Sequence, residues 1–313
     1  MAGLVRLARP LNAGMSAIGV AVGGVVAVGR EAWGPVAVPL ALAAAAAAAF
    51  TAGGNALNDI YDRETDRVNH PERPLASGRM TVRTAWAFVG ASFGLAAVLA
   101  AFVNVFALGL VALNAALMFS YEAGLKARGA PGNLVIAYLV GSLFLFAGVA
   151  VFRGTPEPLI RTGVLAALAS VATLGREITK DIEDLRGDVD RRTLPRRIGV
   201  RAASLLAAIA LLAGAALSSL PLLFRVLGWG FAILVLPADG MFIYAALHSA
   251  ANPSRSQRVT KYAMIVAPVD PRASRRTRST RRSPRSRRPS RSPSSCFPRT
   301  RRICLRSPTP CSS

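Results

Sequence analysis

The sequence predicts an all-α fold, a polytopic transmembrane helical bundle followed by a disordered basic tail. Of its 313 residues 52% are hydrophobic and the mean hydropathy is +0.41, yet the formal net charge is +22. These properties separate along the chain, because residues 268–313 hold 14 Arg and one acid, whereas residues 1–267 consist mainly of long apolar runs. We therefore predict a membrane domain over residues 1–267 and an Arg/Ser/Pro-rich tail over residues 268–313, which excludes a water-soluble enzyme.

Eight uncharged apolar runs are long enough to cross a bilayer core of about 30 Å as helices. They lie at residues 12–29, 35–57, 84–103, 105–121, 133–152, 159–175, 202–220 and 226–248. Residues 260–267 are similar to the start of a ninth span, which ends abruptly at Pro268. The three cysteines all lie in the tail, so the apolar region has no thiol for a disulfide or a thiolate metal site.

The basic residues predict the orientation of the bundle. Alternate connections, starting with the N-terminus, carry 20 Lys and Arg, and the opposite set carries 4. Because positive charge favours the cytoplasmic side, this predicts a multi-pass cell-membrane protein with a cytoplasmic N-terminus. Eleven of the 15 acids in residues 1–267 lie in only two connections, 58–83 and 176–201, and both are predicted to be cytoplasmic.

The two acidic connections share one spacing. Asp59, Asp62 and Asp66 follow the pattern i, i+3, i+7, and so do Asp181, Asp184 and Asp188. On a helix continuing out of the membrane, this spacing places three carboxylates on one face. Asn55 and Glu177 each precede the first aspartate by four residues and extend that face with a further oxygen donor.

Stacked carboxylates repel one another unless a positive charge lies between them. Oxygen ligands of this kind suit Mg²⁺, which is usually held by one or two carboxylates together with the phosphates of a substrate. The isolated His70 and His248 and the lack of cysteine argue against zinc. The alternative is a pair of solvated loops in which the acids form ion pairs with Arg63, Arg67, Arg186 and Arg191.

These two clusters resemble the paired aspartate-rich motifs of the UbiA superfamily of intramembrane prenyltransferases. The first family motif, N-x-x-x-D-x-x-x-D, falls on Asn58, Asp62 and Asp66, and the family's R-P-L-x-S-G follows from Arg73 to Gly78. The second motif, D-x-x-x-D, falls on Asp184 and Asp188. Within the superfamily, the stretch REITKDIED is most similar to the archaeal digeranylgeranylglyceryl phosphate synthases.

The resemblance implies a Mg²⁺-dependent transfer of a geranylgeranyl group from its diphosphate to the hydroxyl of geranylgeranylglyceryl phosphate. An aromatic or quinone-precursor acceptor is the alternative within the superfamily. The metal ligands it implies are Asn58, Asp62, Asp66, Asp184 and Asp188, and the spacing adds Asp59 and Asp181. The expected partners are a polyprenyl diphosphate, a lipid-like acceptor and membrane lipid, with no nucleic acid.

The resemblance also indicates residues that would bind substrate. Lys126 is expected to contact the leaving diphosphate, with Arg73, Arg79 and Tyr121 nearby on the same side of the membrane. Two further positions, Arg9 and Asn12, match the family's N-terminal R-P-x-N and are expected near the acceptor head group. The alternative is that the basic residues only anchor the cytoplasmic ends of the spans.

The tail and the acids leave two functions of other classes open. A membrane transporter would also carry acids, but transporter sites lie near the midplane of the bilayer, whereas these acids lie at span ends. The tail could be a basic arm that tethers the protein to anionic lipid. We interpret it instead as the product of a frameshift near codon 267, because its Arg/Ser/Pro composition is typical of a GC-rich gene read out of frame.

Overall fold

A computed structural model describes residues 2–29, 33–186, 193–219, 229–249 and 251–266, and within these ranges the chain is helical and contains no strand. The helices are α1 (Ala2–Ala8), α2 (Pro10–Val28), α3 (Gly34–Tyr61), α4 (Arg63–Asn69), α5 (Val82–Val103), α6 (Val105–Ala123), α7 (Ala130–Ala150), α8 (Glu157–Glu183), α9 (Leu194–Ile198), α10 (Val200–Leu217), α11 (Trp229–His248) and α12 (Pro253–Val266). Short 3₁₀ turns occupy Leu125–Arg128 and Asp184–Arg186. The all-α prediction is confirmed.

Seven helices in the described ranges, α2, α3, α5, α6, α7, α8 and α10, are long and apolar enough to cross a membrane. They correspond to the first seven predicted spans, and α11 occupies the eighth. The helix α12 begins at Pro253, seven residues before the segment expected to start a ninth span. The predicted tail, residues 268–313, lies outside the described residues.

The boundary between two adjacent spans is set by one asparagine. Asn104 separates α5 from α6, and its side-chain oxygen accepts a hydrogen bond from the backbone N–H of Ala107 at 2.8 Å. Its amide group donates to the backbone oxygen of Val149 on α7 at 2.9 Å. Asn104 therefore ends α5, begins α6 and ties both helices to α7, so its polar side chain finds its partners within the protein.

Small residues allow the central helices to approach closely. A Cβ added at Gly141 on α7 would lie 2.6 Å from the backbone oxygen of Ala166 on α8. About two helical turns further along α7, a Cβ added at Gly148 would lie 2.1 Å from Thr162 Oγ1. Helices in lipid associate through such close packing, since burial from water drives little of it. The sequence Gly-x₆-Gly on α7 therefore fixes where α8 runs.

Two helices are longer than the bilayer core requires. α3 has 28 residues and α8 has 27, so each is about 40 Å long at 1.5 Å per residue. Their C-terminal turns carry the first aspartate of each acidic cluster, Asp59 on α3 and Asp181 on α8. The excess length explains why the carboxylates extend beyond the apolar part of each span.

Candidate active site

A cavity of ≈ 420 Å³ lies between α2, α3, α6, α7 and α8. Most of its wall is apolar and is formed by residues such as Ala46, Phe50, Val111, Ile136, Leu143 and Phe146. Charged and polar side chains gather where α3 and α8 end, and they include Arg9, Asn12, Asn55, Asn58, Tyr121, Glu122, Glu177 and Lys180. The cavity therefore joins a polar end to an apolar interior, which is the shape required by an amphiphilic ligand.

The first acidic motif is not carried by one uninterrupted helix, so that expectation is wrong. α3 ends at Tyr61, Asp62 lies between the helices, and α4 begins at Arg63. The backbone stays close to helical, because the N–H of Asp66 still donates to the oxygen of Asp62 at 2.7 Å. The three aspartates nevertheless have different partners, since Lys126 binds Asp62 whereas Arg73 binds Asp59 and Asp66.

Asp62 belongs to a buried network with a lysine, an asparagine and a glutamate. Lys126 Nζ donates to Asp62 Oδ2 at 2.5 Å and to Glu122 Oε2 at 3.3 Å. Asn58 Nδ2 donates to the same Asp62 oxygen at 3.1 Å and to Glu122 Oε1 at 2.9 Å. The side chain of Lys126 is only 15% exposed and that of Glu122 is fully buried. Two predicted site residues, Asp62 and Lys126, are thus in direct contact.

The other two aspartates of this motif form ion pairs with arginines. Arg73 Nη1 lies 2.6 Å from Asp66 Oδ2 and 3.5 Å from Asp59 Oδ1, and both carboxylates are buried. Arg9 donates to the same Asp59 oxygen. Asp59 therefore lies between two guanidinium groups and does not line the cavity. Its predicted role as a metal ligand stays a prediction, and its position here is that of a charge partner for Arg9 and Arg73.

Arg9, which pairs with Asp59, has an unusual backbone conformation. It is the only described non-glycine residue with a positive φ, 49°, and it connects α1 to α2. The backbone oxygen of the preceding Ala8 accepts a hydrogen bond from Asn55 Nδ2 at 3.0 Å. This bond ties the corner, meaning the junction between α1 and α2, to α3. Left-handed conformations cost about 1 kcal/mol or more in non-glycine residues and persist where surrounding contacts enforce them. The corner thus brings Arg9 and Asn12 to the wall of the cavity.

The helix that leads into the second acidic motif reaches the same end of the cavity. Glu177 and Lys180 of α8 line it beside Asn55 and Asn58 of α3. Asp181 Oδ2 accepts a hydrogen bond from Asn133 Nδ2, at the start of α7, at 2.9 Å. Asp184 follows α8 in the short 3₁₀ turn. Asp188, the last member of this motif, lies outside the described residues.

Two glycines position the segment that carries Lys126. The 3₁₀ turn Leu125–Arg128 ends at Gly129, whose φ of 76° is readily adopted by glycine alone. On the next helix, a Cβ added at Gly132 would lie 2.7 Å from the oxygen of Leu125 and 3.1 Å from the Cα of Lys126. The absence of a side chain at Gly132 therefore permits α7 to pack directly against this turn.

Sequence reasoning missed Glu122 and Asn133. Glu122 lies outside the two acidic clusters, and its signal was the i, i+4 spacing to Lys126 at a span end. Asn133 gave no signal beyond being polar at the start of a span. A third polar residue, Asn114, lines the cavity deeper in α6, where its Nδ2 donates to Ser142 Oγ at 2.9 Å and its buried Oδ1 has no protein partner.

The remaining predicted residues are divided between the cavity and the surface. Tyr121 lines the cavity, and its ring centre is 5.9 Å from Lys126 Nζ. Arg79 is exposed and bonds Ser77 Oγ and the backbone oxygen of Glu72, so the structure does not bring it to the acids. Arg63 and Arg67 pair with the exposed Glu64, where the hydrogen bond from Arg63 lowers the pKa of the Glu64 carboxyl. Glu64 therefore forms the solvated ion pairs that the alternative interpretation expects.

The donor set at this end of the cavity suits magnesium. Over the described ranges, no three His, Cys, Asp or Glu side chains are placed to hold a metal ion by themselves. The two acidic motifs nevertheless supply only oxygen ligands, from Asp62, Asp66, Asp181 and Asp184, together with the amide oxygen of Asn58. Mg²⁺ prefers such ligands and commonly completes its coordination with water and substrate phosphates. The residues therefore fit a magnesium ion that binds together with a diphosphate.

The chain matches proteins of one known family. The model of the UbiA prenyltransferase family matches residues 16–267. A digeranylgeranylglyceryl phosphate synthase from Halobacterium salinarum is 41% identical over 270 residues, which are 85% of this chain and 94% of that protein.

Solved structures show the same fold. A structure from work on digeranylgeranylglyceryl phosphate synthase in membranes has a TM-score of 0.70 and 31% identity, and the match covers 84% of this chain and 93% of the other. A UbiA homologue from Archaeoglobus fulgidus bound to DMAPP and Mg²⁺ has a TM-score of 0.58 and 18% identity over 85% of this chain and 99% of its own. The resemblance inferred from the two motifs is confirmed, and the chain belongs to the UbiA prenyltransferase family.

Proposed function

We propose that this chain transfers a geranylgeranyl group from geranylgeranyl diphosphate to the free hydroxyl of geranylgeranylglyceryl phosphate, a step of ether-lipid synthesis. The observation that carries this proposal is the cavity, whose interior is apolar and whose polar end is lined by Asn58 and Glu122 of the Asp62–Lys126 network. Its apolar walls suit a prenyl chain, and its charged end suits a diphosphate. The names of the relatives at 41% identity support the acceptor.

The proposed donor site uses the residues at the polar end. Lys126, which here contacts Asp62 and Glu122, would donate to the oxygens of the diphosphate, and Arg73 would hold Asp66 beside them. Mg²⁺ held by Asp62, Asp66, Asp184 and Asp188, with the amide oxygen of Asn58, would neutralise the charge that accumulates on the leaving diphosphate. Support for a metal comes from the oxygen donor set and from the related fold bound to DMAPP and Mg²⁺.

The acceptor is assigned to the corner between α1 and α2. Arg9 and Asn12 border the cavity, and Arg9 is the cation in that corner that reaches the first motif. A phosphate head group bound there would place its glycerol hydroxyl between the corner and the donor site. The oxygen of that hydroxyl then bonds to the prenyl carbon as the C–O bond to the diphosphate breaks, and the hydroxyl proton passes to the released diphosphate. The apolar walls exclude water, which would otherwise compete with the hydroxyl.

The proposal includes the side of the membrane on which the reaction takes place. Both acidic motifs follow the C-terminal ends of α3 and α8, and the connections on that side carry most of the Lys and Arg residues. We therefore place the N-terminus and the catalytic end of the cavity in the cytoplasm, according to the positive-inside rule.

The test supplies membranes containing this chain with radiolabelled geranylgeranyl diphosphate and Mg²⁺. Geranylgeranylglyceryl phosphate and an aromatic acid are offered as separate acceptors, and EDTA and Asp62→Asn serve as negative controls. The matched control is Glu64→Gln, since Glu64 belongs to the same connection but is exposed and bonds only arginines in this structure.

We expect a labelled diether phosphate that is lost with EDTA and with Asp62→Asn and is retained with Glu64→Gln. Transfer to the aromatic acid alone would contradict the proposed acceptor. Failure to transfer to either acceptor, in membranes where the chain is shown to be folded, would contradict the proposed function.

A further inference from the structure

Glu122 is a carboxylate in an unusual place, because its side chain is fully buried at the membrane-facing base of the polar site. A buried carboxylate is costly unless donors satisfy both of its oxygens. Here each oxygen has one donor, Asn58 Nδ2 on Oε1 at 2.9 Å and Lys126 Nζ on Oε2 at 3.3 Å. Glu122 thus contacts two residues that the proposed function assigns to the metal and the diphosphate.

The contact with Glu122 determines which way the amide of Asn58 faces. An ionised carboxylate only accepts hydrogen bonds, so a neighbouring amide must present its NH₂ group to it. Asn58 directs its Nδ2 to carboxylates on two sides, Asp62 Oδ2 at 3.1 Å and Glu122 Oε1 at 2.9 Å. Its Oδ1 is consequently turned away from both acids. An amide bonded to one carboxylate would lose one hydrogen bond on rotation, whereas the Asn58 amide would lose two, so the two carboxylates fix its orientation.

The same glutamate limits the movement of Lys126. The ammonium lies between Asp62, which follows α3, and Glu122, which belongs to α6. When a diphosphate and a metal compete for Asp62, Lys126 must leave that oxygen. The fully buried Glu122, four residues earlier in the chain, keeps the ammonium at the end of the cavity.

We propose that Glu122 is a positioning residue, which fixes the orientation of the Asn58 amide and holds Lys126 at the polar end of the cavity, beside the proposed diphosphate. This inference rests on the proposed function, because it presumes that Asn58 and Lys126 act on a metal diphosphate. Glu122 acts through these two side chains, to which it is hydrogen-bonded.

The first test measures metal binding directly. Mn²⁺ replaces Mg²⁺, and its binding to the purified chain is followed by electron paramagnetic resonance in the presence of the thiolodiphosphate analogue of geranylgeranyl diphosphate. Outer partners of metal ligands typically contribute 10- to 100-fold to affinity, so we expect Glu122→Gln to weaken Mn²⁺ binding by about tenfold or more. Glu64→Gln, which makes the same chemical change at an exposed acid, should leave binding unchanged.

The second test exchanges the donor and the acceptor. The double variant Asn58→Asp/Glu122→Gln keeps one amide and one carboxylate in contact and keeps the total charge, but the carboxylate now faces the metal. We expect it to bind Mn²⁺ more tightly than Glu122→Gln by about tenfold. The single variant Asn58→Asp is the control for the added carboxylate, and a positioning role requires that Glu122→Gln weakens Mn²⁺ binding less in that background than in wild type.

The outcomes separate this inference from the proposed function. If wild type transfers the prenyl group while Glu122→Gln binds Mn²⁺ as wild type does, Glu122 has no positioning role and only the inference fails. The inference also fails if the double variant stays as weak as Glu122→Gln. If wild type transfers nothing to the lipid acceptor, the proposed function fails, whereas Mn²⁺ binding still reports on Glu122. Thermal melting of each variant without ligands shows whether the fold is retained.

Discussion

Lys126 and Asp62 are 64 positions apart in the chain, yet Lys126 Nζ donates to Asp62 Oδ2 at 2.5 Å. The contact fixes the turn between α6 and α7 to the end of α3, and so it brings the basic residue to the first acidic motif. It also neutralises a carboxylate that follows an apolar span. In the described residues, every aspartate of this motif has a cation within reach, from three different parts of the chain.

Replacing Lys126 tests this contact. We expect Lys126→Met to reduce kcat for prenyl transfer by about 100-fold, because the leaving diphosphate loses a positive partner. The buried Glu122 also loses a donor, which should lower the free energy of unfolding by about 3 kcal/mol. Lys126→Arg keeps the charge in another shape and should retain more activity than Lys126→Met. A kcat of Lys126→Met equal to that of wild type would contradict the assignment.

The two arginines after the first motif should differ in their effect on stability. Arg73 holds two buried carboxylates, so Arg73→Gln leaves them without that cation and should lower the free energy of unfolding by about 3 kcal/mol. Arg79 is exposed, and Arg79→Gln should change stability by no more than about 0.5 kcal/mol. Denaturation of both variants in detergent measures the difference, and equal losses would contradict the structural distinction.

Gly132 is predicted to be required for the position of Lys126. In Gly132→Ala the new methyl group would meet the backbone oxygen of Leu125 at 2.7 Å, so the turn must move. A displacement of this size near reacting groups can cost about 100-fold in rate, and we expect a loss of at least about tenfold in kcat/KM. Gly163→Ala is the matched control, because its methyl group would meet nothing within 4 Å. Equal activity of the two variants would count against this role.

Cysteine labelling can test the orientation, because residues 1–267 contain no cysteine. In a background with the three tail cysteines replaced by serine, Ser77→Cys lies between α4 and α5 and Thr155→Cys between α7 and α8. An impermeant maleimide applied to intact cells should label Thr155→Cys at once and Ser77→Cys only after permeabilisation. The opposite pattern would place the acidic motifs outside the cell.

The tail after Ala267 is predicted to be dispensable. A chain that ends there should retain transfer activity within about twofold of the full chain, since residues 268–313 have the composition of a segment that buries no core. Transfer assays on the two chains, at matched amounts of membrane protein, measure this ratio. A large loss of activity on removal, together with binding of the tail to anionic vesicles, would favour the basic-arm alternative. Resequencing the locus tests the frameshift interpretation independently.

Much of the fold could be predicted from local patterns. Long apolar runs, the single asparagine between residues 84–103 and 105–121, and the charge at the span ends predicted helices whose bounds the structure reproduces to within a few residues for most spans. The motif spacing predicted an acidic site, and the comparisons confirm the family. The break at Asp62 was not predictable, because it coincides with the contact from Lys126, which is 64 positions away in the sequence.

The sequence by itself thus determined the class of fold, the family and the residue types at the polar end, since each depends on composition or on spacing within one segment. Only the tertiary structure decided which cation meets which carboxylate. Asp59 pairs with Arg9 and Arg73, and Asp62 pairs with Lys126, because helix packing places those charges together across 50 or more positions of the chain in two of the three pairs. The role of Glu122 also emerges only there, because its two partners converge on it from α3 and from the turn after α6.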